Sequence, residues 1–394
     1  MKCRGCGGGE FDDVVDLGLM PLVNNLLQTR DEACRKWPLK VVRCVHCTLA
    51  QLTETPAPSA MFDEYLYFSS QSQTMVNHAH RLVQQFVRPG DRVVEIASND
   101  GYLLKPAQQF GATVLGVDPA KNIAEFANAQ GINTRCEYFG VESAKRIVDE
   151  WGQADVMFAN NVLAHVPDPN EIARGIKVLL AEGGRAHIEC PWLVRMIEGC
   201  AFDTIYHEHQ CYFSVTALQG IFNRAGLKII DAQEIEIHGG SVHIVAAHNG
   251  DESSAAKMME TECQVGVNLP RYYERFRQRI DEIRTRLLTM IEPAQSVGAF
   301  GAAAKGIILL NHFGLMHDRI EWVADVSPHK QGRFVPGAGQ RVVSPEVLVD
   351  EMPEICLLLP WNLKEEIVRR NAAYIQRGGK FVVPLPKVEL VEHL

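Results

Sequence analysis

Four short apolar runs follow one another through the middle of the chain: Asp91-Arg92-Val93-Val94-Glu95-Ile96, Thr113-Val114-Leu115-Gly116-Val117-Asp118, Val156-Met157-Phe158-Ala159 and Arg185-Ala186-His187-Ile188-Glu189. Helix-like segments lie between most of them. Strands joined through helices must run parallel, and a parallel sheet needs both faces covered, so the alternation predicts a doubly wound α/β unit over residues 76–250. The rhythm restarts at Val297-Gly298-Ala299-Phe300-Gly301 and continues through Ile320-Glu321-Trp322-Val323-Ala324-Asp325 and Ile355-Cys356-Leu357-Leu358-Leu359. That predicts a second, smaller α/β unit over residues 293–394. Between the two, residues 251–292 carry Val265, Leu269, Tyr272, Phe276 and Ile280 at three-to-four spacing and read as a packed helical connection. Residues 1–75 mix cysteines, glycines and short apolar pieces and read as a small β-rich unit. A chain of 394 residues with 46% hydrophobic content has enough apolar mass for two or three cores.

Charge removes some classes of partner. A formal net charge of -9 and a pI near 5.9 oppose broad attraction to a phosphate backbone, so nucleic acid is not expected, while a local basic pocket for one diphosphate remains compatible. No apolar run reaches the length of about 18 residues needed to span a bilayer. The opening Met1-Lys2-Cys3 leaves no room for a secretory signal, so the expectation is a cytoplasmic monomer with reduced thiols.

Cys3-x2-Cys6 and Cys44-x2-Cys47 are paired thiols on tight turns. Four such ligands suit a tetrahedral zinc ion, with free thiols or redox chemistry as the alternatives. A four-thiolate site has no open position, so the metal is structural. The 37 residues between the pairs exceed the usual ribbon spacing.

Glu95-Ile96-Ala97-Ser98-Asn99-Asp100-Gly101 is a strand running into a turn of small and polar residues ahead of a helix, which lets backbone N–H groups approach a ligand. About 20 residues on, Asp118 ends the next strand, where a carboxylate accepts ribose hydroxyls, and Pro119 follows it. The turn lacks a full G-x-G-x-x-G, which a phosphate-free cofactor does not need. That favours S-adenosylmethionine over a nicotinamide dinucleotide, with Glu95, Ala97, Asn99, Asp100, Gly101, Asp118, Pro119, Asn160 and Asn161 as candidate cofactor contacts.

Several strings together resemble the sugar C-methyltransferase family. They are Glu95 to Gly101, Phe202-Asp203-Thr204-Ile205-Tyr206-His207-Glu208-His209 with Tyr212-Phe213-Ser214, His238-Gly239-Gly240-Ser241, Gly301-Ala302-Ala303-Ala304-Lys305-Gly306, and Lys330-Gln331-Gly332-Arg333 with Pro336-Gly337. The resemblance covers nearly the whole chain. It implies an α/β protein of three parts: a small zinc-binding N-terminal domain, a central class I methyltransferase domain, and a C-terminal Rossmann-like domain that helps hold a nucleotide sugar. The implied reaction is methylation at C3 of a nucleotide-linked 4-keto-deoxysugar in branched-sugar biosynthesis.

That chemistry needs a base and oxygen-stabilising donors, because a C4 ketone acidifies the C3 proton and its removal gives an enolate. His209 is the candidate base, with Glu208 beside it to orient the ring, bind a sugar hydroxyl or share the proton. Tyr206 and His165 match family positions that line the reaction centre and hydrogen-bond the oxyanion. The family places a catalytic tyrosine in the segment Tyr65-Leu66-Tyr67-Phe68, which indicates Tyr67, with Tyr65 as its substitute. His238, Gly239, Gly240 and Ser241 are candidate substrate contacts, and Lys305, Lys330, Arg333 and Asn311 are candidates for holding the diphosphate or the base. His243 and Gln210-Cys211 depart from the family pattern near these contacts, so the sugar differs from the common thymidine-linked ones if they touch it. The alternatives are methyl transfer to oxygen or nitrogen of another small metabolite, and a zinc-stabilised nucleotide-binding module without turnover.

Overall fold

The computed structural model describes residues 1–56 and 68–393. Its first sheet uses β1 (Phe11–Pro21), β2 (Lys36–Cys44) and β3 (Ala50–Leu52). The central sheet is built from β4 (Arg92–Ile96), β5 (Thr113–Val117), β6 (Thr134–Arg135), β7 (Ala154–Asn160) and β8 (Leu180–Pro191). The short β9 (Cys211–Tyr212) leaves the central domain and becomes the fourth strand of the first sheet, pairing Ala50 with Tyr212 and Gln51 with Cys211. β10 (Lys228–Ile235) and β11 (Ser241–Ala247) complete the central sheet, whose order is β10-β11-β8-β7-β4-β5-β6.

Strands β4 to β8 are parallel, as the apolar runs predict, and β10 and β11 add an antiparallel hairpin against β8. The third sheet holds β12 (Val297–Phe300), β13 (Trp322–Ala324), β14 (Arg341–Val343), β15 (Ile355–Leu358), β16 (Lys380–Val383) and β17 (Glu389–Val391). Its order, β14-β13-β12-β15-β16-β17, reverses direction between β12 and β15. Ligands of open α/β sheets bind at such a reversal, beyond the carboxyl ends of the strands.

The helical connection differs from the single stretch the periodicity predicts. It is two helices, Ser253–Val265 and Pro270–Ile291. Gly266 is left-handed with φ 93° and caps the first, and Pro270 opens the second, where its missing N–H costs nothing. The second helix buries Tyr273, Phe276, Ile280, Ile283, Leu287 and Ile291 on one face. Arg277 of this helix donates to the carbonyls of Asp13 and Val14, tying the connection to β1.

Candidate active site and thiolate centre

The four thiolates meet because β1 and β2 form an antiparallel pair in which Phe11 sits opposite Cys44. The long gap in sequence is therefore one hairpin, out and back. All four sulfur atoms lie within 4.8 Å of one another, with Cys3 Sγ 3.5 Å from Cys47 Sγ and Cys6 Sγ 3.5 Å from Cys44 Sγ. A tetrahedron with Zn–S bonds of about 2.3 Å has edges of about 3.8 Å, so the donor set fits zinc. A hydrogen bond from Cys47 draws the Cys3 thiol down to about 5, against the opposing effect of burial. Among the described residues this is the one cluster of three or more His, Cys, Asp or Glu side chains spaced to hold a metal ion.

The cofactor turn follows β4. Ala97 and Asn99 adopt φ of 52° and 49° and Gly101 one of 80°, left-handed positions that fold the chain into a tight turn, in which the N–H groups of Ser98, Asn99 and Gly101 go to the Val117 carbonyl, the Asp118 carboxylate and the Ser98 carbonyl. Gly116 on the neighbouring strand is bare because a β-carbon there would lie 2.4 Å from Ser98 Oγ. Asp118 holds the turn, accepting from Asn99 N–H at 3.0 Å and from Ala120 N–H at 2.9 Å. Ser69 N–H and Ser70 N–H donate in turn to Asn99 Oδ1 and Asp100 Oδ2, so the chain ahead of the helix Gln73–Phe86 lies against the turn.

Around this turn Glu95 Oε2, Ser98 Oγ, Asp100 Oδ1 and both polar atoms of Asn160 are buried without a hydrogen-bond partner. Buried polar atoms of this kind need partners, and a cofactor bearing amino, carboxylate and hydroxyl groups supplies them. Desolvation, with the charges of Asp100 and Asp118 adding to it, raises the Glu95 carboxyl well above its usual range. Asn161, with φ 57°, donates its N–H to the Glu189 carbonyl at 2.7 Å.

Tyr206, Glu208 and His209 lie on the loop between the turn Phe202–Thr204 and β9. His209 Nδ1 is 2.8 Å from the Thr204 carbonyl, which fixes the proton on that nitrogen and leaves Nε2 to accept the Tyr206 hydroxyl at 2.9 Å. The His165 ring meets His209 edge-on at 4.8 Å between centroids. Burial takes His165 down to about 4, so it is neutral, and its hydrogen bond goes to the Glu208 backbone. Its remaining nitrogen then presents a lone pair, which suits a sugar hydroxyl better than an oxyanion.

Glu208 and His209 point apart. Glu208 Oε1 accepts from Asn24 Nδ2 at 2.7 Å, and burial raises its carboxyl to about 6 against that hydrogen bond. Asn24 belongs to the zinc-bearing unit and is a residue the sequence reading missed, since a polar pair after an apolar run carries no signal of where it will point.

The remaining candidates scatter. Gly239 and Gly240 turn with φ of 92° and 112° before β11, and Ser241 spends its hydroxyl on the Ile237 carbonyl. The side chain of His238 lies outside those described, and Tyr65 and Tyr67 lie outside the described residues. Lys305 stands in the first turn of the helix Ala304–Phe313, 5.1 Å from the Trp361 ring centre. Trp361 donates to Asp203 Oδ2 at 2.7 Å, joining the C-terminal domain to the segment that leads into the Tyr206–His209 loop. Asp203 and Trp361 were not singled out from sequence, though a residue just past the carboxyl end of a strand at a sheet reversal is where such a contact belongs.

Asn311 is six residues further along that helix. Its Nδ2 donates to the Ile307 and Pro336 carbonyls, and its Oδ1 is buried without a hydrogen-bond partner. Lys330 donates to the Ala302 carbonyl at 2.9 Å and lies 3.5 Å from Asp325, bracing the turn. Arg333 stands near β14, where its carbonyl accepts from Val342 N–H. His243 is buried inside the central sheet, its ring centre 5.4 Å from that of Phe86 and its Nε2 3.2 Å from His187 Nδ1. Gln210 and Cys211 are likewise buried, Gln210 donating to the carbonyls of Ala164 and His165.

Comparison with known proteins adds three family matches in order along the chain. They are a zinc binding domain over residues 3–62, a methyltransferase domain over 68–232 and a C-methyltransferase C-terminal domain over 236–386. The chain is 34% identical to the C-methyltransferase NovU of Streptomyces niveus, across 99% of this chain and 96% of that protein. It is 32% identical over 97 residues to the ubiquinone biosynthesis O-methyltransferase of Bordetella avium, covering 24% of this chain and 40% of that one. Among solved structures, a SAM-dependent methyltransferase from Archaeoglobus fulgidus aligns with a TM-score of 0.37 at 17% identity, over 44% of this chain and 94% of that one. No helix of the described residues is long and apolar enough to cross a membrane. An end-to-end relative, on a chain whose thiolates and cofactor turn are built as those domains require, means that this protein belongs to the S-adenosylmethionine-dependent C-methyltransferases with an N-terminal zinc-binding domain.

Proposed function

We propose that the enzyme methylates C3 of a nucleotide-linked 4-keto-deoxysugar through an enolate, as a step in branched-sugar biosynthesis. The observation that carries this reading is the Tyr206–His209 pair. The His209 imidazole has one nitrogen committed to the Thr204 carbonyl at 2.8 Å and the other facing the Tyr206 phenol at 2.9 Å. Carbon methylation requires a base, whereas methyl transfer to an amine or a phenol often requires only positioning.

In this scheme His209 Nε2 removes the C3 proton. The imidazolium then donates to Tyr206 Oη, and the phenolic hydrogen turns to the developing oxygen at C4. Bound S-adenosylmethionine supplies the electrophilic methyl. Neutral His165 accepts a sugar hydroxyl, and Glu208, at about 6 and held by Asn24, binds a sugar hydroxyl. The loop of His238, Gly239 and Gly240 borders the sugar, and Lys305 offers its ammonium to the diphosphate. Tyr67, or Tyr65 in its stead, is the further tyrosine of the site.

The test is to incubate the protein with candidate 4-keto sugar nucleotides in deuterated water and to measure exchange at C3 and gain of one methyl group by mass. Exchange that persists without S-adenosylmethionine and disappears in His209→Ala is the expected result. Methylation of another acceptor without any carbon exchange would overturn the reading.

A further inference from the structure

The turn Phe202–Thr204 belongs to the central domain, yet two of its side chains are held by the C-terminal one. Phe202 is fully buried, with its ring centre 5.5 Å from that of His312 and 5.2 Å from that of Phe313, both at the end of the helix Ala304–Phe313. Asp203 is also fully buried and accepts from Trp361 Nε1 at 2.7 Å. Trp361 comes just after β15, where Leu359 N–H bonds to the Phe300 carbonyl of β12 at 3.0 Å. Gly301 lets the intervening Pro360 pack closely, since a β-carbon there would lie 2.2 Å from that ring. The indole is therefore carried on the edge of the C-terminal sheet.

The third residue of the turn meets the proposed base. The Thr204 carbonyl is 2.8 Å from His209 Nδ1, and Nε2 is left to the Tyr206 hydroxyl. Which nitrogen of a histidine is free is set by the hydrogen bond that the other one makes. A peptide oxygen can set it only while its own turn keeps one orientation. Thr204 spends its side chain inside the turn, its hydroxyl donating to the Ala201 carbonyl at 2.7 Å. Packing of Phe202 is non-directional, so the hydrogen bond from Trp361 to Asp203 supplies direction.

That bond also offsets a cost, because a buried carboxylate needs a partner. Desolvation raises the Asp203 carboxyl above its usual range, and the Lys305 ammonium and the Trp361 N–H oppose it. Lys305 stands in the first turn of the helix Ala304–Phe313, 5.1 Å from the Trp361 ring centre. These two stabilising groups both come from the C-terminal domain. Trp361 also lies against the turn before β11, where a β-carbon on Gly239 would sit 3.4 Å from its ring.

We infer that Asp203 and Trp361 are positioning residues that hold the Thr204 carbonyl against His209 Nδ1, so that the C-terminal domain decides which nitrogen of the base is free. The inference rests on the reading of His209 as the base, and it gives the C-terminal domain a part in proton removal. Neither residue touches the reacting atoms.

The experiment is nitrogen-15 NMR of the full-length, zinc-loaded protein labelled at histidine, with His209→Ala to identify the ring, repeated in Trp361→Phe, Asp203→Ala and the double variant. The wild type should carry its proton on Nδ1, and each variant should populate the form protonated on Nε2. With the 4-keto sugar nucleotides used above, C3 exchange should slow about tenfold in each single variant while S-adenosylmethionine binds as in the wild type. The double variant should be no slower than either single one, because both act through one contact. Asp203→Asn keeps an oxygen for Trp361 and should recover most of the exchange lost in Asp203→Ala. Trp361 is only half-buried, so Trp361→Phe decides alone if the Asp203 variants fail to fold. A His209 proton that stays on Nδ1 in Trp361→Phe, or losses that multiply in the double variant, would overturn this inference and leave His209 as the base. Exchange that survives His209→Ala would overturn the functional reading, whatever the nitrogen spectra show.

Discussion

Asn24 Nδ2 donates a 2.7 Å hydrogen bond to Glu208 Oε1, so a residue of the zinc-bearing unit holds a carboxylate of the loop that also carries Tyr206 and His209. The same loop enters the first sheet through β9. The thiolate-bearing unit thus packs against the loop that carries Tyr206 and His209.

Asn24→Ala removes the donor that opposes burial of Glu208, so its carboxyl rises above about 6. If activity needs the carboxylate, the acid limb of the kcat/KM profile moves to higher pH by about 1 unit. Affinity for S-adenosylmethionine stays the same. Asn24→Asp, which brings a second negative charge, shifts the limb further in the same direction. An unmoved limb would mean that Asn24 only packs.

Tyr206→Phe and His209→Ala separate the pair. His209→Ala should lower kcat by about 10²–10⁴-fold and abolish C3 exchange. Tyr206→Phe retains the base and should slow methylation less than about 10²-fold while still allowing exchange, as measured by NMR alongside product mass.

Asp118→Ala takes two backbone N–H groups out of their hydrogen bonds and removes the proposed ribose acceptor. Titration calorimetry should find S-adenosylmethionine bound about 100-fold more weakly, roughly two lost hydrogen bonds. Wild-type affinity would refute the nucleoside assignment.

Removing zinc, by chelation or by Cys44→Ser, releases the β1–β2 hairpin and with it the partners of β9 and the Asn24 contact. Metal analysis should give one zinc per chain, and the melting temperature should fall by about 10 °C, as a loss on the order of 3 kcal/mol implies. Activity should fall with the metal although no thiolate touches the reacting atoms.

Acid should unfold the central sheet through its buried histidines. Desolvation, then the neighbouring His243 and Arg185, take His187 down to about 3, and burial lowers His243 as well. His187 stays neutral in the folded chain down to about 3 and His243 resists protonation there, while the unfolded chain binds protons below about 6.5. The stability they allow is complete above that pH and is lost progressively as pH falls toward about 3 for His187. Urea midpoints measured from pH 7 to 4 should drop steadily, and His187→Gln should flatten the slope without changing catalysis at pH 7.

Local pattern was enough for the repeated strand–helix units, the thiolate pairs and the turn from Glu95 to Gly101, because each is specified by neighbours in the chain: alternation for a sheet, a two-residue spacing for a knuckle, small residues for a tight turn. Contacts between distant segments could not be read that way. Nothing in the order of residues says that Asn24 lies against Glu208, that Trp361 lies against Asp203, that the Asn311 amide meets the Pro336 carbonyl, or that His243 is interior. Those depend on how three sheets are set against one another, and burial then decides the rest. The same carboxyl or imidazole is an ordinary surface group in water and a shifted, oriented one once solvent is removed and a single partner remains.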